Sequence, residues 1–397
     1  MLKQPAPPNG TPTKPTEILF QLEARSTPVR LISTSDWHFG NRRVAANDLA
    51  TRFRQYLFPH LAGCDLLNIG GDIWDTLLNL SEDTNIIEAF LIDLMNECNK
   101  HRITVRILLG TYSHDRSQSS LIPILHEKCG FTNDLRYIDR VYLEEISTLN
   151  LRILYLPDDL PYASSQDCMQ VVEEMMRQRG WTYVDYVFGH GYFDHMLPTN
   201  LPRKPKCTFL IEQFKPFVRR YVCMGHVHQC NFTENVFYNN SFDRLAHGEE
   251  DPKGFMSIID HGDRAQIEFI ENKDATKFIT LDLSQYFDHV EIGRVYIDRV
   301  KKAFGDEPGY VRVIHSSSEI RQALQRITSS QFPKLVYSVK KSVDTTSIDL
   351  AQAHRKLLDV KTYPSPTEET LPEMVHAFLA GIDKTELSVE RITELLA

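Results

Sequence analysis

The chain has 397 residues, more than one hydrophobic core usually needs, so we expect a main domain with smaller units attached. Its formal net charge is -9 and its 44 basic residues are scattered, which excludes a general electrostatic attraction to nucleic acid. Seven cysteines without a CxxC pair argue against a disulfide framework, and no apolar segment approaches the roughly 20 residues that cross a bilayer. We therefore expect a cytoplasmic protein with no membrane partner.

The chain begins with a proline-rich segment that lacks the apolar stretch of a signal peptide. We predict that residues 1–27 form a flexible N-terminal tail. The first apolar run follows at once and opens the main domain.

Five short apolar runs organise the first half of the chain, and each ends in a small residue followed by a polar or ionisable one. They cover residues 29–38, 65–75, 103–110, 183–191 and 221–229. Stretches of helical period, at 48–61 and 84–101, separate the first three runs. This alternation predicts a largely parallel, buried sheet, whose active site would lie beyond the carboxyl ends of the strands.

The pattern of apolar runs changes in the second half of the chain. After residue 231, short strand-like runs separated by turn residues predict antiparallel strands that complete a second sheet. The predicted fold of residues 28–282 is therefore an α/β two-sheet sandwich flanked by helices. Residues 283–345 predict a small α+β module, with Ser316 to Ser318 as helix caps. Residues 346–397 predict helices that bind a partner or pack on themselves.

Ligand-type side chains stand at the predicted strand ends. Alone, an Asp there is usually a helix cap and a His is usually a buried, hydrogen-bonded core residue. Together they are far less expected by chance, and carboxylates with neutral imidazoles suit Mn, Fe or Zn. The set is Asp36, His38, Asp72, His190, His226 and His228, enough for two ions that share Asp72.

Two neighbouring cations stabilise the entering and leaving oxygens of a phosphoester and lower the pKa of a bridging water. The leaving alkoxide also needs a proton donor. The His-Asp pair in "LLGTYSHDRSQ" lies beside the cluster, so we predict that His114 supplies the proton and that Asp115 orients it.

Basic residues are concentrated locally near these motifs. They are candidate phosphate contacts on the metal face, although each could equally be solvated surface charge. The set is Arg42, Arg43, Arg203, Lys204, Lys206, Arg219 and Arg220.

The ordered motifs DxH, GDxxD, HD, GH and GHxH resemble the calcineurin-like metallophosphoesterase superfamily across roughly residues 29 to 270. The segment "NNSFDRLAHGEEDPKGFMSIID" and the chain length resemble more narrowly the SbcD-type recombination nucleases, especially those of phages. That resemblance implies a DNA nuclease that uses two divalent ions, most commonly Mn²⁺, with the α+β module capping the DNA site. It also implies a homodimer whose C-terminal helices bind an SbcC-type coiled-coil ATPase.

The resemblance assigns Asp36, His38, Asp72 and His228 to one ion. It assigns Asp72, His190 and His226 to the other and makes His114 the catalytic histidine. The chain departs from the family pattern at one ligand, because "GTYSHD" stands where the family has GNHD. We expect Ser113 to hold the place of the missing asparagine and to bind the second ion more weakly.

Three functions stay open from the sequence. A DNA nuclease is favoured because a small-molecule enzyme has no need of an α+β module and terminal helices. A phosphatase or phosphodiesterase acting on another substrate is the second, since the fold does not determine the substrate. A catalytically weakened scaffold is the third, and the missing asparagine is its main support.

Overall fold

The computed structural model describes residues 24–78, 82–158, 160–197, 205 and 207–340. Most of the predicted N-terminal tail and all of the predicted helical segment 346–397 therefore lie outside the described residues. No helix among those described is long and apolar enough to cross a membrane.

Seventeen strands and eight α-helices make up the described chain. The strands are β1 (Val29–Thr34), β2 (Leu66–Ile69), β3 (Thr104–Leu108), β4 (Leu135–Ile138), β5 (Tyr142–Ile146), β6 (Leu151–Leu156), β7 (Val184–His190), β8 (Tyr192–Phe193), β9 (Thr208–Phe209), β10 (Val218–Gly225), β11 (Phe232–Thr233), β12 (Val236–Tyr238), β13 (Gly254–Asp260), β14 (Ala265–Glu271), β15 (Phe278–Asp282), β16 (Gly309–Ile314) and β17 (Leu335–Lys340). The helices are α1 (Ala46–Tyr56), α2 (Phe58–Leu61), α3 (Glu82–Lys100), α4 (Tyr112–Asp115), α5 (Leu121–Lys128), α6 (Ser165–Gln178), α7 (His289–Phe304) and α8 (Ser318–Gln331).

Two six-stranded sheets, with helices packed on them, confirm the predicted α/β sandwich. The first has the order β14-β13-β1-β2-β3-β4, and the second has the order β11-β12-β10-β7-β6-β5. Strands β1 to β4 are parallel in the first sheet, as are β6, β7, β10 and β12 in the second. The carboxyl ends of the central strands of each sheet therefore share one edge.

One prediction about the second half of the chain was wrong. Strands β13 and β14 do not complete the second sheet. β13 pairs antiparallel with β1, with Leu31 opposite Ile258, and β14 pairs with β13. The hairpin is joined to the first sheet by long-range hydrogen bonds, which the local turn pattern does not reveal.

Apolar faces explain how the layers pack. In α1 the buried residues Leu49, Ala50 and Phe53 recur at helical spacing, so this face covers the first sheet. The side chains of Val172 and Met176 in α6 cover the outer face of the second sheet in the same way. Between the sheets lies a separate core that includes Leu31, Leu66, Tyr155, Phe188 and Met256.

Strands β15 to β17 form a parallel three-stranded sheet that packs with α7 and α8. It begins at Phe278, a few residues before the predicted boundary at 283. Ser317 caps α8, because its hydroxyl accepts a hydrogen bond from the backbone N–H of Ile320. The Tyr310 hydroxyl donates to the Arg43 carbonyl at 2.9 Å, which fixes this α+β module against the loop after β1.

A buried ion pair connects the two sheets. Arg106 of β3 is fully buried and donates twice to the Glu144 carboxylate of β5, at 2.7 and 2.8 Å. The Tyr155 hydroxyl donates to the same carboxylate at 2.9 Å. Buried charges of this kind are tolerated because each is hydrogen-bonded by the other.

We predict that Arg106→Leu lowers the free energy of unfolding by about 3 kcal/mol, because Glu144 would stay buried without its main partner. The double variant Arg106→Leu/Glu144→Leu should lose less than Arg106→Leu alone, since it also removes the buried carboxylate, for which Arg136 and Tyr155 compensate only in part. Urea denaturation gives both values. Arg140→Leu is a control, because Arg140 is 82% exposed and its Nε lies 3.3 Å from the exposed carboxylate of its neighbour Asp139. A double variant less stable than Arg106→Leu would contradict the prediction.

Candidate metal centre

The carboxyl ends of four parallel strands bring the predicted ligands together. Residues after β1, β2, β3 and β10, together with the last residue of β7, form three overlapping groups, and within each group the ligand atoms lie within 4.8 Å of one another. The groups are Asp36, His38 and His228; His38, Asp72 and His114; and Asp72, His190 and His226. His38 and Asp72 each belong to two of the groups, so these two side chains connect the three groups into one site.

Pairs of ring nitrogens face each other across the site. His38 Nε2 lies 3.1 Å from His228 Nε2, and His190 Nε2 lies 3.2 Å from His226 Nδ1. Asp72 Oδ2 lies 3.4 Å from His190 Nε2. Carboxylate oxygens and imidazole nitrogens suit Mn, Fe or Zn, so the donor set fits two divalent cations. The donor set does not distinguish among these metals.

The backbone is strained at the ligands. Asp36, His38, Asp72 and His226 all have left-handed φ values, of 54°, 51°, 52° and 89°. Residues with side chains rarely adopt this conformation, and such strain concentrates at functional sites. The strand ends are therefore bent to turn these side chains inward.

Two glycines permit the close packing of the loops. A Cβ atom on Gly110 would collide with the backbone nitrogen and carboxylate of Asp72. A Cβ on Gly225 would lie 2.5 Å from the Gly70 carbonyl oxygen and 2.7 Å from His190 Nδ1. Any larger residue at either position would push a ligand away from the centre.

The electrostatics of the centre favour bound positive charge. Burial opposes ionisation of Asp36, but hydrogen bonding to His228 and the nearby imidazoles hold its carboxyl pKa well below the usual range. Burial also opposes the charged form of His190, yet the Asp72 carboxylate raises its pKa well above normal. By contrast, burial and the adjacent His190 lower the pKa of His226 to about 4. The carboxylates thus stay ionised in a buried pocket, where a cation balances them.

Asp115 has a different role from the predicted one. Its buried carboxylate accepts hydrogen bonds from the backbone N–H groups of Gly110, Asp72 and Trp74, at 2.8, 3.0 and 3.2 Å. It therefore ties the loop after β2 to the loop after β3. The prediction that Asp115 orients His114 was wrong.

His114 is instead oriented by the backbone. Its Nδ1 lies 2.7 Å from the Asp75 carbonyl oxygen, and because a carbonyl only accepts, Nδ1 carries the proton. Nε2 is then the ring nitrogen left to exchange a proton with a bound group. The ring packs edge-on against His38, with centroids 4.9 Å apart, so His114 borders the centre as predicted.

The Thr111 hydroxyl, and not that of Ser113, lies among the ligand atoms. The Thr111 hydroxyl is 3.1 Å from His226 Nδ1, 3.3 Å from Asp72 Oδ2 and 3.5 Å from His190 Nε2. Ser113 lies in the short helix α4 and is exposed. The expectation for Ser113 is therefore corrected, because the residue that directly follows Gly110 at the strand end is the one that reaches the site.

Sequence reasoning also missed the groups that support His228. The Glu249 Oε1 atom lies 3.2 Å from His228 Nδ1. The fully buried Lys253 donates to the His228 carbonyl at 2.5 Å and to Asn240 Oδ1 at 3.2 Å. A carboxylate behind a metal-binding histidine fixes its tautomer. The sequence shows acidic residues before "DPKGF", but nothing in this segment indicates that one of them contacts His228.

The predicted basic contacts are only partly near the centre. Arg42 and Arg43 are exposed in the loop that follows His38. Arg219 and Arg220 lie at the start of β10, roughly 20 Å of extended chain from His226, so their predicted position on the metal face was wrong. The others lie outside the described residues: Arg203, Lys204 and Lys206.

Comparison with known proteins adds little to this geometry. No family model and no curated protein matches the chain. The crystal structure of TT1561 of Thermus thermophilus aligns over 62% of this chain and 100% of that chain, with 9% identity and a TM-score of 0.36. A second crystal structure aligns over the same shares, with 12% identity and a TM-score of 0.34. Similarity at this level carries no functional inference.

The fold and site together define an α/β sandwich with a candidate two-metal centre at its carboxyl edge.

We predict that Thr111→Val weakens binding of one of two Mn²⁺ ions by about tenfold, because valine keeps the shape of threonine but removes its oxygen. Calorimetric titration of the metal-free protein with Mn²⁺ measures both sites. Ser113→Ala is the matched control and should bind like the unchanged protein. The opposite pattern, with Ser113→Ala weakened and Thr111→Val normal, would restore the original assignment.

Proposed function

We propose that the protein is a metal-dependent DNA nuclease of the SbcD type, which hydrolyses phosphodiesters at a pair of divalent ions, with Mn²⁺ as the favoured metal. The observation that carries this proposal is Asp72. Its carboxylate lies between the two ligand sets, with Oδ2 3.8 Å from His38 Nε2 and 3.4 Å from His190 Nε2, and its two oxygens could bind two cations. Paired cations are a recurrent device of phosphoester hydrolysis.

Bound ions would supply positive charge to the phosphate and a more acidic water. The protein's own side chains hold and shape the site. Asp36, His38 and His228 would bind one ion, while His190, His226 and Thr111 would bind the other. Glu249 and Asp115 support the ligands from behind. Glu249 orients His228, and Asp115 holds the loop that carries Asp72.

His114 would give a proton to the leaving oxygen. Its Nδ1 proton is engaged by the Asp75 carbonyl, so transfer would use Nε2. The ring is half-buried at the border of the centre, where a substrate oxygen can approach it. The role of His114 is therefore to donate a proton without serving as a required ligand.

The α+β module supports a polymeric substrate over a small one. Its sheet contacts the main domain beside the metal motifs: Tyr310 bonds the Arg43 carbonyl, and the Thr280 hydroxyl donates to Glu250 at 3.0 Å. Arg42 and Arg43, which are exposed at this junction, are suited to contact phosphates that flank the cleaved bond. A phosphodiesterase for a small substrate would have no use for such an extension.

The scaffold interpretation loses its main support. It rested on the missing asparagine, but the Thr111 hydroxyl supplies an oxygen among the ligand atoms. The partner assignments stay proposals drawn from the sequence resemblance. They are a homodimer and an SbcC-type coiled-coil ATPase bound by residues 346–397.

We predict that the purified protein cleaves linear duplex or single-stranded DNA in Mn²⁺ and that EDTA abolishes the activity. His114→Ala should lower the cleavage rate by about 10² to 10⁴, the range for loss of a general acid, while Mn²⁺ binding changes little. A gel assay on labelled DNA and a parallel Mn²⁺ titration measure the two effects.

His195→Ala is the control for this experiment, because His195 is an exposed histidine in the segment after β8 and lies outside the three ligand groups. It should cleave DNA at the unchanged rate. Cleavage of a chromogenic phosphodiester without cleavage of DNA would favour a phosphodiesterase on another substrate. Mn²⁺ binding without either activity would favour the scaffold.

A further inference from the structure

A second polar cavity lies at the end of the sandwich opposite the metal centre. It has a volume of about 860 Å³ and is formed where β1, β6, β7 and β10 begin. Its lining includes Arg25, Arg152, Arg219 and Arg220, with Tyr183 and Asp185. Four guanidinium groups in one cavity of ligand size form a distinctive feature in a chain whose net charge is -9.

The strand that carries two of these arginines is irregular at that point. The pairing of β10 with β7 shifts register between Val218 and Tyr221, and Arg219 and Arg220 occupy the shift. Neighbouring residues of a regular strand face opposite sides of a sheet, whereas an irregularity can re-aim a side chain. Here both arginines line the same cavity.

Two of the guanidinium groups stack on the faces of aromatic rings. Arg219 lies over the Tyr183 ring at 4.2 Å from its centroid, and Arg152 lies over the same ring at 5.0 Å. Arg152 also lies 5.0 Å from the centroid of Trp181. Stacking of this kind uses the faces of a guanidinium and leaves its N–H edge able to donate.

Several of the donors lack acceptors inside the protein. The Nε of Arg219 and the Nε and Nη1 of Arg220 are buried and have no hydrogen-bond partner among the described residues. Arg220 is 1% exposed, and its Nε lies 3.6 Å from Asp260 Oδ1, which is too long for a good hydrogen bond. A guanidinium is always charged, and the buried positive charge of Arg219 and Arg220 favours an anion in the adjoining cavity.

The carboxylates nearby already have other donors. Asp185 accepts from the backbone N–H of Arg152 at 2.8 Å. Asp260 accepts from the Tyr186 hydroxyl at 3.0 Å and from the Gly262 N–H at 2.7 Å. They offset part of the positive charge, since Arg219 Nη1 lies 3.7 Å from Asp185 Oδ1. Arg25 is held by the protein itself, because it donates to the Leu149 and Asn150 carbonyls at 2.6 and 3.0 Å.

From these observations we propose that this cavity, which we call the arginine cavity, binds a phosphate-bearing small molecule. A phosphate offers three or more oxygens to several guanidinium groups, and arginine recognises it through paired hydrogen bonds. The size of the cavity accommodates a mononucleotide as well as a free phosphate. The site is independent of the metal centre, which lies at the other end of the same strands.

The test uses the full-length protein in excess EDTA, so that no metal can hold the ligand at the other end. Isothermal titration calorimetry is carried out with AMP and, separately, with sodium phosphate. We expect saturable binding of at least one of them at a single site. Arg219→Gln and Arg152→Gln should each weaken it at least tenfold, and tighter binding of AMP than of phosphate would identify an ester as the ligand class.

Arg140→Gln is the matched control, because it removes an arginine that is 82% exposed and outside the cavity lining. It should bind like the unchanged protein. Thermal unfolding of each variant shows that a loss of binding is not a loss of fold. The proposal is overturned if neither ligand binds, if both cavity variants bind normally, or if Arg140→Gln weakens binding as much as they do.

Discussion

The central constraint on this protein is the burial of two carboxylates at a single edge of the sandwich. Asp36 is fully buried and Asp72 nearly so, and both stay ionised among imidazoles that compete for the same space. Buried charge is tolerated only when it is paired or binds a metal. The left-handed φ values at the ligands bring these groups into one site, and so does Gly110, which has no Cβ to keep the loops apart.

A layer of hydrogen bonds behind the ligands couples the site to the fold. Asp115 joins the loops after β2 and β3 through three backbone N–H groups. Its pKa is raised to about 6 by burial and by the charge of Asp72, so it is held ionised less firmly than the ligands themselves. A cation bound to Asp72 would reduce that repulsion, and metal binding should therefore also stabilise the two loops.

The strand ends and their ligands were predictable because their signals are local. An apolar run that ends in a small residue and then Asp or His marks the end of a buried parallel strand, wherever the strand lies in the sheet. Three other features are not local. The β13-β14 hairpin joins the first sheet by long-range pairing, and Asp115 turns away from its neighbour His114 to bond distant backbone. Thr111 was missed because Ser113 was chosen as the residue directly before His114, as in the family pattern GNHD. This choice assumes that the loop has no inserted residues. The residue directly after Gly110, at the end of the strand, is Thr111.

The misplacement of Arg219 and Arg220 shows what strand direction adds to sequence proximity. They precede His226 by only a few residues, yet an extended strand separates them from it by the depth of the sandwich. Parallel strands thus separate two groups of charged side chains: the carboxylates and imidazoles of the candidate metal centre at the carboxyl ends, and the arginines of the arginine cavity at the amino ends. The net charge of -9 does not predict either site. A buried anion is recognised by the few donors around it and not by the summed charge of the whole protein. The two proposals therefore assign phosphate recognition to both ends of the same strands by different chemistry: through bound cations at one end, and through arginine at the other.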